Sequence, residues 1–324
     1  MIVVTGGAGF IGSAFVWKLN SEGIDNIVIV DRLGTYEKWK NLVNRRYVDF
    51  FHKDDFLKMI CEDAISFNIE AIIHMGACSS TTERDCDYLM ENNYRYSRRL
   101  AEWAVKKDIR FIYASSAATY GDGTLGFSDD DHVTETLRPI NMYGYSKQVF
   151  DLWVLKNQLE KIVTGIKFYN VFGPNEYHKG DMRSVIHKSF GQIAETGKVR
   201  LFKSHRADYG DGEQKRDFVY VKDCVDILWW FLQNQDVAGI FNLGTGQART
   251  WNDLVGAVFS AMGREPKIEY IDMPESIRPQ YQYFTEARMD KLRSAGNTIP
   301  FQSLEQSVAD YIVTYLENNE QHLE

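Results

Sequence analysis

Three side chains have the types and the spacing needed to move a proton on and off an alcohol. Tyr143 and Lys147 form a Tyr-x-x-x-Lys pair, and Ser116 lies upstream in Ser115-Ser116-Ala117-Ala118-Thr119-Tyr120-Gly121. Residues four apart on a helix share one face, so the Lys147 ammonium would stabilise a Tyr143 phenolate and lower the pKa of the phenol. Tyr143 could then act as a general base on a substrate hydroxyl that Ser116 orients.

A glycine-rich turn near the N-terminus could hold a dinucleotide. Gly6, Gly9 and Gly12 lie in Thr5-Gly6-Gly7-Ala8-Gly9-Phe10-Ile11-Gly12, between a short apolar run and a helical pattern. Glycines there permit a tight turn and let a pyrophosphate approach backbone N–H groups at a helix N-terminus. Such a cofactor carries the redox chemistry, and the protein supplies position and acid–base groups. The turn and the tyrosine–lysine pair together indicate hydride transfer at a carbinol carbon.

The residues alone leave the choice between NAD and NADP open. Asp31 ends the second apolar run, where an acid commonly bonds the adenosine ribose. A carboxylate there favours NAD because it repels a 2′-phosphate. Arg32 follows directly, and Lys38 and Lys53 are near in sequence, so cations could neutralise that phosphate.

Two further segments could contact the dinucleotide. Small side chains in Met75-Gly76-Ala77-Cys78-Ser79, directly after the fourth apolar run, would let the backbone pass against the adenosine. Asn92, on the next helical stretch, could bond the ribose or serve only as a structural hydrogen-bonding group.

Short apolar runs alternate with helical patterns along the first half of the chain. We predict strands at Ile2–Thr5, Asn26–Val30, Arg46–Phe50, Ala71–Met75, Phe111–Ser115 and Val163–Tyr169, and helices at about Phe10–Leu19, Lys53–Phe67, Glu83–Lys106 and Tyr143–Gln158. This alternation predicts an α/β fold with a doubly wound parallel sheet of the Rossmann type, with ligands at the carboxyl ends of its strands. We expect a dinucleotide-binding domain from residues 1–170 and about 217–245, and a smaller α/β substrate domain from about 171–216 and 246–324.

Composition excludes several classes of function. The chain has 324 residues, 44% of them hydrophobic, which suits a large folded core, and its formal net charge of -8 disfavours nucleic acid or an anionic membrane as the main partner. No apolar stretch is long enough to span a bilayer. Cysteines without Cys-x-x-Cys spacing, and a strand-like start without a basic leader, predict free thiols in a cytoplasmic protein. The histidines form no metal-ligand pattern, so we expect no metal.

These motifs resemble the extended short-chain dehydrogenase/reductase family, whose best-known branch is the nucleotide-sugar epimerases and dehydratases. Besides the glycine turn, the strand-end serine and the Tyr-x-x-x-Lys pair, the family carries Arg-Asp-Phe-Val-Tyr-Val, which is here Arg216-Asp217-Phe218-Val219-Tyr220-Val221. Dehydratases usually have an Asp-Glu pair just after the serine or threonine. Ala117-Ala118 occupies that place, so dehydration is disfavoured.

Other segments are similar to one branch, the epimerases that act on ADP-heptoses at C6″. They are Gly76-Ala77-Cys78-Ser79-Ser80-Thr81-Thr82-Glu83, Asn92-Asn93-Tyr94, His178-Lys179-Gly180, Tyr281-Gln282 and Phe284-Thr285, besides the segment around Ser116. The resemblance implies an NADP-dependent isomerase, often a homopentamer, in the synthesis of lipopolysaccharide core heptose precursors. It implies Tyr143 as one acid/base and Lys179 as the second, because hydride leaves one face of C6″ and returns to the other.

The resemblance also implies the remaining binding residues. Those for NADP are Phe10, Ile11, Asp31, Arg32, Lys38, Lys53, Met75, Gly76, Ala77, Cys78, Ser79, Asn92, Lys147 and Val171. Those for the nucleotide sugar are Asn170, Asp181, Lys188, Phe202, Lys203, Ser204, His205, Arg216 and Tyr281. Asp181 and Lys188 replace a family serine and histidine, the 202–205 segment differs from the family's Phe-Glu-Gly-Ser, and the stretch after His205 is longer, so the departures lie on the substrate side.

Two other interpretations stay open. A UDP- or GDP-sugar 4-epimerase would use Ser116, Tyr143 and Lys147 equally well. A non-catalytic protein that senses the dinucleotide is the second, although a sensor has no reason to keep all three side chains.

Overall fold

A parallel sheet forms the centre of the fold. The computed structural model describes residues 1–275, 277–278 and 281–324. Its strands are β1 (Ile2–Thr5), β2 (Ile27–Asp31), β3 (Asp49–His52), β4 (Ala71–His74), β5 (Arg110–Ser116), β6 (Thr164–Phe168), β7 (Asn170–Phe172), β8 (Val199–Phe202), β9 (Lys215–Tyr220), β10 (Gly239–Leu243), β11 (Ala248–Thr250) and β12 (Ile268–Ile271). Seven of them pair in parallel in the order β10-β6-β5-β4-β1-β2-β3. The order reverses beside β1, so the predicted doubly wound sheet is confirmed.

Helices connect the strands of this sheet. They are α1 (Phe10–Ser21), α2 (Lys53–Cys61), α3 (Cys86–Leu89), α4 (Tyr96–Lys106), α5 (Asp131–Thr134), α6 (Met142–Lys156), α7 (Val185–Thr196), α8 (Val221–Gln233), α9 (Trp251–Ala261), α10 (Asp290–Ser294) and α11 (Leu304–Ala309). Short 3-10 helices lie at Glu37–Leu42, Ala117–Tyr120, Leu159–Lys161 and Tyr177–Met182, and π-helical turns at Met90–Arg95 and Asp310–Leu316.

Several predicted boundaries differ from those observed. The second predicted helix ends at Cys61 rather than Phe67, and Asp63 follows in the left-handed conformation with φ of 51°, which stops a helix. The stretch predicted to be one helix begins at Cys86 and contains a π-helical turn. β3 begins at Asp49, three residues after the predicted Arg46 (49 − 46), because its pairing with β2 starts there.

The two faces of the sheet pack against different helices. Alternate strand residues point to opposite faces. Val3 and Ile72 belong to the apolar cluster that contains buried side chains of α2, α4 and α6. Val4 and Ile73 belong to the larger cluster with α1 and α8. Continuous apolar strands such as Ile2–Thr5 are therefore buried on both faces, as in other parallel sheets.

The later part of the chain adds two small sheets. β9 pairs antiparallel with β11 and parallel with β7, and β8 pairs in parallel with β12. Residues of α7, α9 and α11 belong to the same large apolar cluster as α1, while β10 returns to the main sheet beside β6. We keep the two-domain division at about residues 170, 216 and 245 as a proposal.

The described parts of the chain contain neither a membrane-spanning helix nor a cluster of metal ligands. No helix there is both long and apolar enough to cross a bilayer. The same residues contain no group of three or more His, Cys, Asp or Glu side chains arranged to hold a metal ion.

Candidate active site

A cavity of about 650 Å³ opens at the carboxyl ends of the central strands. Loops or strand ends from β1, β2, β4 and β5 line it, together with β7 and the 3-10 helix at Tyr177–Met182. The lining includes these predicted residues: Gly6, Gly9, Phe10, Ile11, Gly12, Asp31, Lys38, Met75, Gly76, Ala77, Cys78, Ser79, Ser116, Tyr143, Lys147, Asn170, Val171 and Lys179. The fold thus gathers residues from distant segments at the edge where doubly wound sheets bind ligands.

The glycine turn between β1 and α1 is too tight for side chains. The Gly9 N–H donates to the Gly6 carbonyl at 2.9 Å, and Gly6 has φ of 65°. A Cβ added at Gly12 would lie 2.1 Å from the Gly6 oxygen. A Cβ on Gly6 itself would lie 2.6 Å from the Cα of Gly76. This bare backbone before the start of α1 fits the pyrophosphate of a dinucleotide.

Asp31 links β2 to the glycine turn and carries a partner cation. Its Oδ2 accepts the Ala8 N–H at 2.9 Å, and its Oδ1 accepts the Lys38 ammonium at 2.6 Å. Lys38 therefore offsets much of the carboxylate's charge at the cavity wall. The Arg32 side chain is exposed and is not part of the lining.

Lys53, which the resemblance implies for the cofactor, is not among the residues that line the cavity. Its Nζ donates to Asp54 at 2.8 Å and lies 5.3 Å from the centre of the Tyr96 ring. Lys53 is near Asp31 because β3, which ends at His52, pairs with β2. The Lys53 side chain, however, contacts Asp54 in the first turn of α2.

Ser116 and Tyr143 meet because α6 packs closely on the segment after β5. The Asn141 side chain caps α6 by accepting the Gly144 N–H at 2.8 Å. A Cβ on Gly144 would lie 2.6 Å from the Ala118 oxygen, so only glycine lets the helix approach. Tyr143 is half-buried, and burial raises the pKa of its phenol, an effect that the hydrogen bond with Ser116 partly offsets.

Lys147 lies one turn further along the same face of α6. Its buried Nζ donates to the Ala114 carbonyl at 2.7 Å. Burial lowers the pKa of this ammonium to about 8, against the opposing charge of Asp151. The sequence predicts that Lys147 lowers the pKa of Tyr143, but burial has the larger effect and the Tyr143 pKa is raised.

Lys179 reaches the same cavity from the 3-10 helix Tyr177–Met182. Its ammonium lies 5.1 Å from the centre of the Phe10 ring. Burial lowers the pKa of Lys179, and the negative charge of Glu176 opposes that effect. The cavity is therefore lined by two separate ionisable groups, the Tyr143 phenol and the Lys179 amine.

Asn93, the neighbour of the predicted Asn92, fixes the loop after β4. Asn92 donates to the Asn93 side chain at 3.0 Å and does not line the cavity. Asn93 is buried, and its amide accepts the Cys78 N–H and donates to the Cys78 carbonyl, both at 2.9 Å. It also donates to the Ser146 hydroxyl at 3.0 Å, so one amide joins the loop to α6. Two adjacent asparagines gave no signal of which one turns inward.

Asp181 and Lys188 lie at the surface and outside the cavity lining. Both are exposed, and the Lys188 ammonium donates to the Asp181 carbonyl at 2.5 Å. Asp181 and Lys188, which the resemblance implies for substrate, therefore contact each other. Asp181 belongs to the 3-10 helix that carries Lys179, and Lys188 belongs to α7.

The predicted segment 202–205 follows β8 and also lies outside the cavity lining. The Lys203 ammonium pairs with Asp272 at 3.2 Å, and the Ser204 N–H donates to Asp211 at 2.8 Å. The His205 N–H donates to the Tyr283 hydroxyl at 2.9 Å. Phe202, at the end of β8, is half-buried. These contacts join the segment to its own longer loop, at Asp211, and to the chain after β12, at Asp272 and Tyr283.

Arg216 and Tyr281 meet next to the cavity wall. The buried Arg216 guanidinium lies 5.8 Å from the Trp251 ring and 5.4 Å from the Tyr281 ring, and Trp251 lines the cavity. Its hydrogen bonds go to the carbonyls of Lys215 and Gln282. Within the described ranges no carboxylate pairs with it, which suits a buried cation that binds a ligand anion.

A buried ion pair supports the catalytic helix and was missed from the sequence. The Asp151 carboxylate accepts Lys167 at 2.6 Å and the Ser115 hydroxyl at 2.7 Å, and both charged side chains have an exposed fraction of 0%. Asp151 is one turn beyond Lys147 on α6, and Lys167 comes from β6. Only the Tyr-x-x-x-Lys-x-x-x-Asp spacing could have drawn attention to Asp151.

His74, at the end of β4, is a packed, neutral residue. Its Nδ1 lies 2.5 Å from the Thr5 hydroxyl and its Nε2 lies 2.7 Å from the Ser97 hydroxyl. Burial lowers the pKa of this imidazole to about 3. It therefore joins β1, β4 and α4 without a charge.

Comparison with known proteins places the chain in a family. Residues 2–244 match the model of the NAD dependent epimerase/dehydratase family. The ADP-L-glycero-D-manno-heptose-6-epimerase of Nitratidesulfovibrio vulgaris is 62% identical over 316 residues, which cover 98% of each chain. The solved structure of the Helicobacter pylori enzyme of that name superposes with a TM-score of 0.80 at 28% identity, covering 96% of this chain and 94% of the other.

A third relative binds the expected class of cofactor. The Thermus thermophilus UDP-glucose 4-epimerase, solved as a complex with NAD, superposes with a TM-score of 0.72 at 25% identity, covering 96% of this chain and 99% of the other. The predicted resemblance to nucleotide-sugar epimerases is confirmed by these matches. The chain belongs to the NAD dependent epimerase/dehydratase family, in which its sequence groups with the ADP-L-glycero-D-manno-heptose-6-epimerases.

Proposed function

We propose that this protein is an isomerase that interconverts ADP-D-glycero- and ADP-L-glycero-β-D-manno-heptose at C6″. The observation that carries the proposal is one cavity that holds a dinucleotide turn, the Ser116–Tyr143–Lys147 set and the separate amine of Lys179. Return of hydride to the opposite face of C6″ moves the carbonyl oxygen to a new position, and a second proton-transfer group in the same cavity can serve the oxygen there. The 62% identity with a relative of that name supports the choice of sugar.

The lining residues fit a nicotinamide dinucleotide. The backbone of Gly6, Gly9 and Gly12 would hold the pyrophosphate, and Lys147 would bond the nicotinamide ribose. When bound, the nicotinamide accepts hydride from the carbinol carbon and returns it. Asp31 and Lys38 would contact the adenosine ribose. Their ion pair at 2.6 Å favours NADP over NAD, because the ammonium offsets the repulsion between the carboxylate and a 2′-phosphate.

Tyr143 and Lys179 would move the protons. Tyr143 takes the C6″ hydroxyl proton as a phenolate, with Ser116 holding the same hydroxyl and the Lys147 ammonium stabilising the phenolate. C6″ becomes a ketone, and rotation of the side chain presents its other face. As C6″ is reduced again, Lys179 gives the proton to the oxygen. In the reverse direction the two groups exchange their roles.

The nucleotide end would lie toward Arg216. Its guanidinium, stacked between Trp251 and Tyr281, offers planar donors to a diphosphate oxygen. The surface position of Lys188 makes it a weaker candidate for that contact. The resemblance further supports a cytoplasmic homopentamer that serves lipopolysaccharide core synthesis, and light scattering on the purified protein would test the pentamer.

The first experiment gives the purified protein ADP-D-glycero-β-D-manno-heptose without added cofactor. Proton NMR follows the configuration at C6″, and a denatured sample identifies the released dinucleotide. We expect the L-glycero epimer and released NADP. Released dinucleotide without conversion would refute the heptose assignment and direct the assay to UDP- and GDP-hexoses. A lack of turnover on every sugar would favour the sensing protein.

The second proton-transfer group has its own test. Lys179→Met should abolish epimerisation while leaving the bound dinucleotide content unchanged, because Lys179 is not part of the glycine turn. Epimerisation at the rate of the unmodified protein would contradict the two-group mechanism. Lys58→Met, a change to a lysine of α2 whose side chain is 72% exposed and lies outside the cavity lining, is the matched control and should retain epimerisation.

A further inference from the structure

The buried amide of Asn41 joins two segments that line the cavity. Asn41 belongs to the 3-10 helix Glu37–Leu42, and its exposed fraction is 2%. Its Nδ2 donates to the Ala8 carbonyl at 2.9 Å and to the Asn175 carbonyl at 3.2 Å, and it lies 3.3 Å from Nδ1 of His178. One side chain thus connects the glycine turn with a segment from the other half of the chain.

The 3-10 helix holds Ala8 of the glycine turn at both its N–H and its carbonyl. The Ala8 N–H donates to Asp31 Oδ2 at 2.9 Å, and Asp31 Oδ1 accepts the Lys38 ammonium at 2.6 Å. Asn41 lies one helical turn after Lys38 and bonds the Ala8 carbonyl. The turn that would hold the pyrophosphate is therefore fixed to this helix by two contacts, one direct and one through Asp31.

Asn175 is the residue at which the Lys179 segment meets these contacts. It is fully buried and has φ of 77°, a left-handed conformation that asparagine adopts more readily than most residues. Its side chain donates to the Ser13 hydroxyl of α1 at 3.0 Å and accepts the Leu323 N–H at 3.0 Å. Because its carbonyl accepts Asn41, its position depends on α1, the C-terminus and the 3-10 helix together.

The local backbone connects Asn175 with Lys179. Glu176 follows Asn175 directly, and its carbonyl accepts the Lys179 N–H at 3.0 Å in the 3-10 helix Tyr177–Met182. Lys179 lines the cavity, and its amine lies 5.1 Å from the centre of the Phe10 ring at the start of α1. A shift of Asn175 would therefore move the amine relative to the glycine turn, and a misplacement of about 1 Å at a reacting group can cost about 10²-fold in rate.

We infer that Asn41 is a positioning residue: its amide, shared between the Ala8 and Asn175 carbonyls, holds the Lys179 segment at a fixed distance from the glycine turn. Its role is separate from ligand binding and from proton transfer, because the side chain is buried and is not part of the cavity lining. The inference rests on the proposed role of Lys179 as the second proton-transfer group.

Asn20 offers the matched control, because it makes the same kind of contacts away from the cavity. It is buried near the end of α1, and its Nδ2 donates to the Ile24 carbonyl at 3.0 Å and to the Arg46 carbonyl at 2.8 Å. Asn41→Leu and Asn20→Leu each remove a buried amide that bridges two carbonyls, and each keeps the approximate size of the side chain. Both variants should have a lower free energy of unfolding, so stability alone does not distinguish them.

The rate of epimerisation separates the two variants. At saturating NADP, we expect the kcat of Asn41→Leu to fall about 10- to 100-fold and the KM for the sugar to change less than about threefold, since the side chains that line the cavity are kept. Asn20→Leu should keep the kcat of the unmodified protein. The dinucleotide content of each protein is measured in parallel. An unchanged kcat in Asn41→Leu would overturn the inference.

Hydrogen exchange gives a second readout, one that does not depend on turnover. Exchange in residues 175–184, measured by mass spectrometry, should be faster in Asn41→Leu than in both the unmodified protein and Asn20→Leu. Unchanged exchange in that segment would overturn the inference. If Lys179→Met epimerises normally, the proposed function fails, while the exchange data still decide whether Asn41 holds the segment. Should Asn41→Leu not fold, Asn41→Ser decides by the same two readouts, since its hydroxyl has a single donor and cannot bond both carbonyls.

Discussion

The chemistry of this protein depends on single side chains whose environments set their protonation. Tyr143 and Lys147 share a helix face, but burial acts on them in opposite directions: the pKa of the phenol is raised and that of the ammonium is lowered to about 8. Both shifts favour the neutral forms. A bound substrate and dinucleotide must therefore complete the environment in which Tyr143 exchanges a proton.

Replacing Tyr143 tests its role with the fold unchanged. Tyr143→Phe should lower kcat by about 10²- to 10⁴-fold, because it removes the group that transfers the proton. Tyr145→Phe is the matched control, since Tyr145 is on the same helix but is 49% exposed. Initial rates by NMR, with dinucleotide content measured in parallel, provide the comparison. A fall of less than tenfold in Tyr143→Phe would remove this residue from the mechanism.

His74 makes folding stability depend on pH. Burial lowers its pKa from 6.5 to about 3, so the unfolded chain binds the additional proton between these values. The contribution of the neutral His74 imidazole to the free energy of unfolding is therefore fully present above pH 6.5. This contribution falls by about 1.4 kcal/mol per pH unit as the pH is lowered toward 3.

Urea denaturation of the unmodified protein and His74→Gln measures this effect. The variant should be less stable at pH 7, because it loses the contacts with Thr5 and Ser97. The difference in unfolding free energy between the two proteins should shrink by about 2 kcal/mol from pH 7 to pH 5. Parallel pH dependences of the two proteins would show that His74 does not titrate this way.

At the scale of elements, close backbone approach decides where the cofactor turn can form. Gly12 lies in the first turn of α1, directly against the glycine turn. A Cβ on Gly12 would lie 2.1 Å from the Gly6 oxygen. The start of α1 must move to relieve that overlap. The turn is therefore a property of the β1–α1 junction, and not of any single side chain.

A pair of alanine variants tests the turn. Gly12→Ala should lose the bound dinucleotide and unfold at a lower temperature. Gly191→Ala, in α7, meets no atom within 4 Å and should retain the dinucleotide and gain up to about 1 kcal/mol of stability. The released cofactor is measured by chromatography after denaturation. Full dinucleotide content in Gly12→Ala would show that the turn tolerates a side chain.

The Asp151–Lys167 pair locks α6 to β6 beneath the site. Removing one partner leaves a buried charge, so Asp151→Asn or Lys167→Met should each cost about 3–5 kcal/mol of unfolding free energy. The double variant should recover much of that loss, because no unpaired charge remains. Urea denaturation of all four proteins gives the coupling energy. Additive losses in the double variant would mean that the two side chains act independently.

At the scale of the whole molecule, the C-terminal residues join the segment that carries Lys179 to α1 and to the loop that contains Arg45. Leu323 is buried, with its carbonyl bonded by Arg45 and its N–H by Asn175. The Glu324 carbonyl accepts the Trp17 indole N–H at 2.6 Å. Residues 175–184, which carry Glu176 and Lys179, therefore depend on contacts made at the far end of the chain.

Leu323→Ala tests this dependence. We expect a loss of about 2–5 kcal/mol of stability and faster hydrogen exchange in residues 175–184. Val313→Ala, at a position that is 51% exposed, is the matched control and should change neither quantity appreciably. Exchange measured by mass spectrometry on both variants resolves the effect by segment. Unchanged exchange at 175–184 in Leu323→Ala would contradict the linkage.

The sequence by itself determined the features that local spacing sets. Continuous apolar runs alternating with helical patterns predicted the parallel sheet. The Tyr143–Lys147 spacing put both side chains on one helix face, and the glycines defined the turn before α1. These features could be predicted because each depends on residues that are near one another in the chain, where backbone geometry fixes what is adjacent.

Tertiary structure alone decided which distant side chains pair. It buried Asn93 rather than Asn92, paired Lys38 with Asp31, paired Lys53 with Asp54, and placed the 202–205 segment against Asp211, Asp272 and Tyr283. It also built the buried Asp151–Lys167 pair and brought the C-terminus onto the Lys179 segment. The Asp151–Lys167 pair and the C-terminal contacts join residues far apart in sequence, and even the nearer pairs depend on how strands and helices pack, which no local spacing specifies.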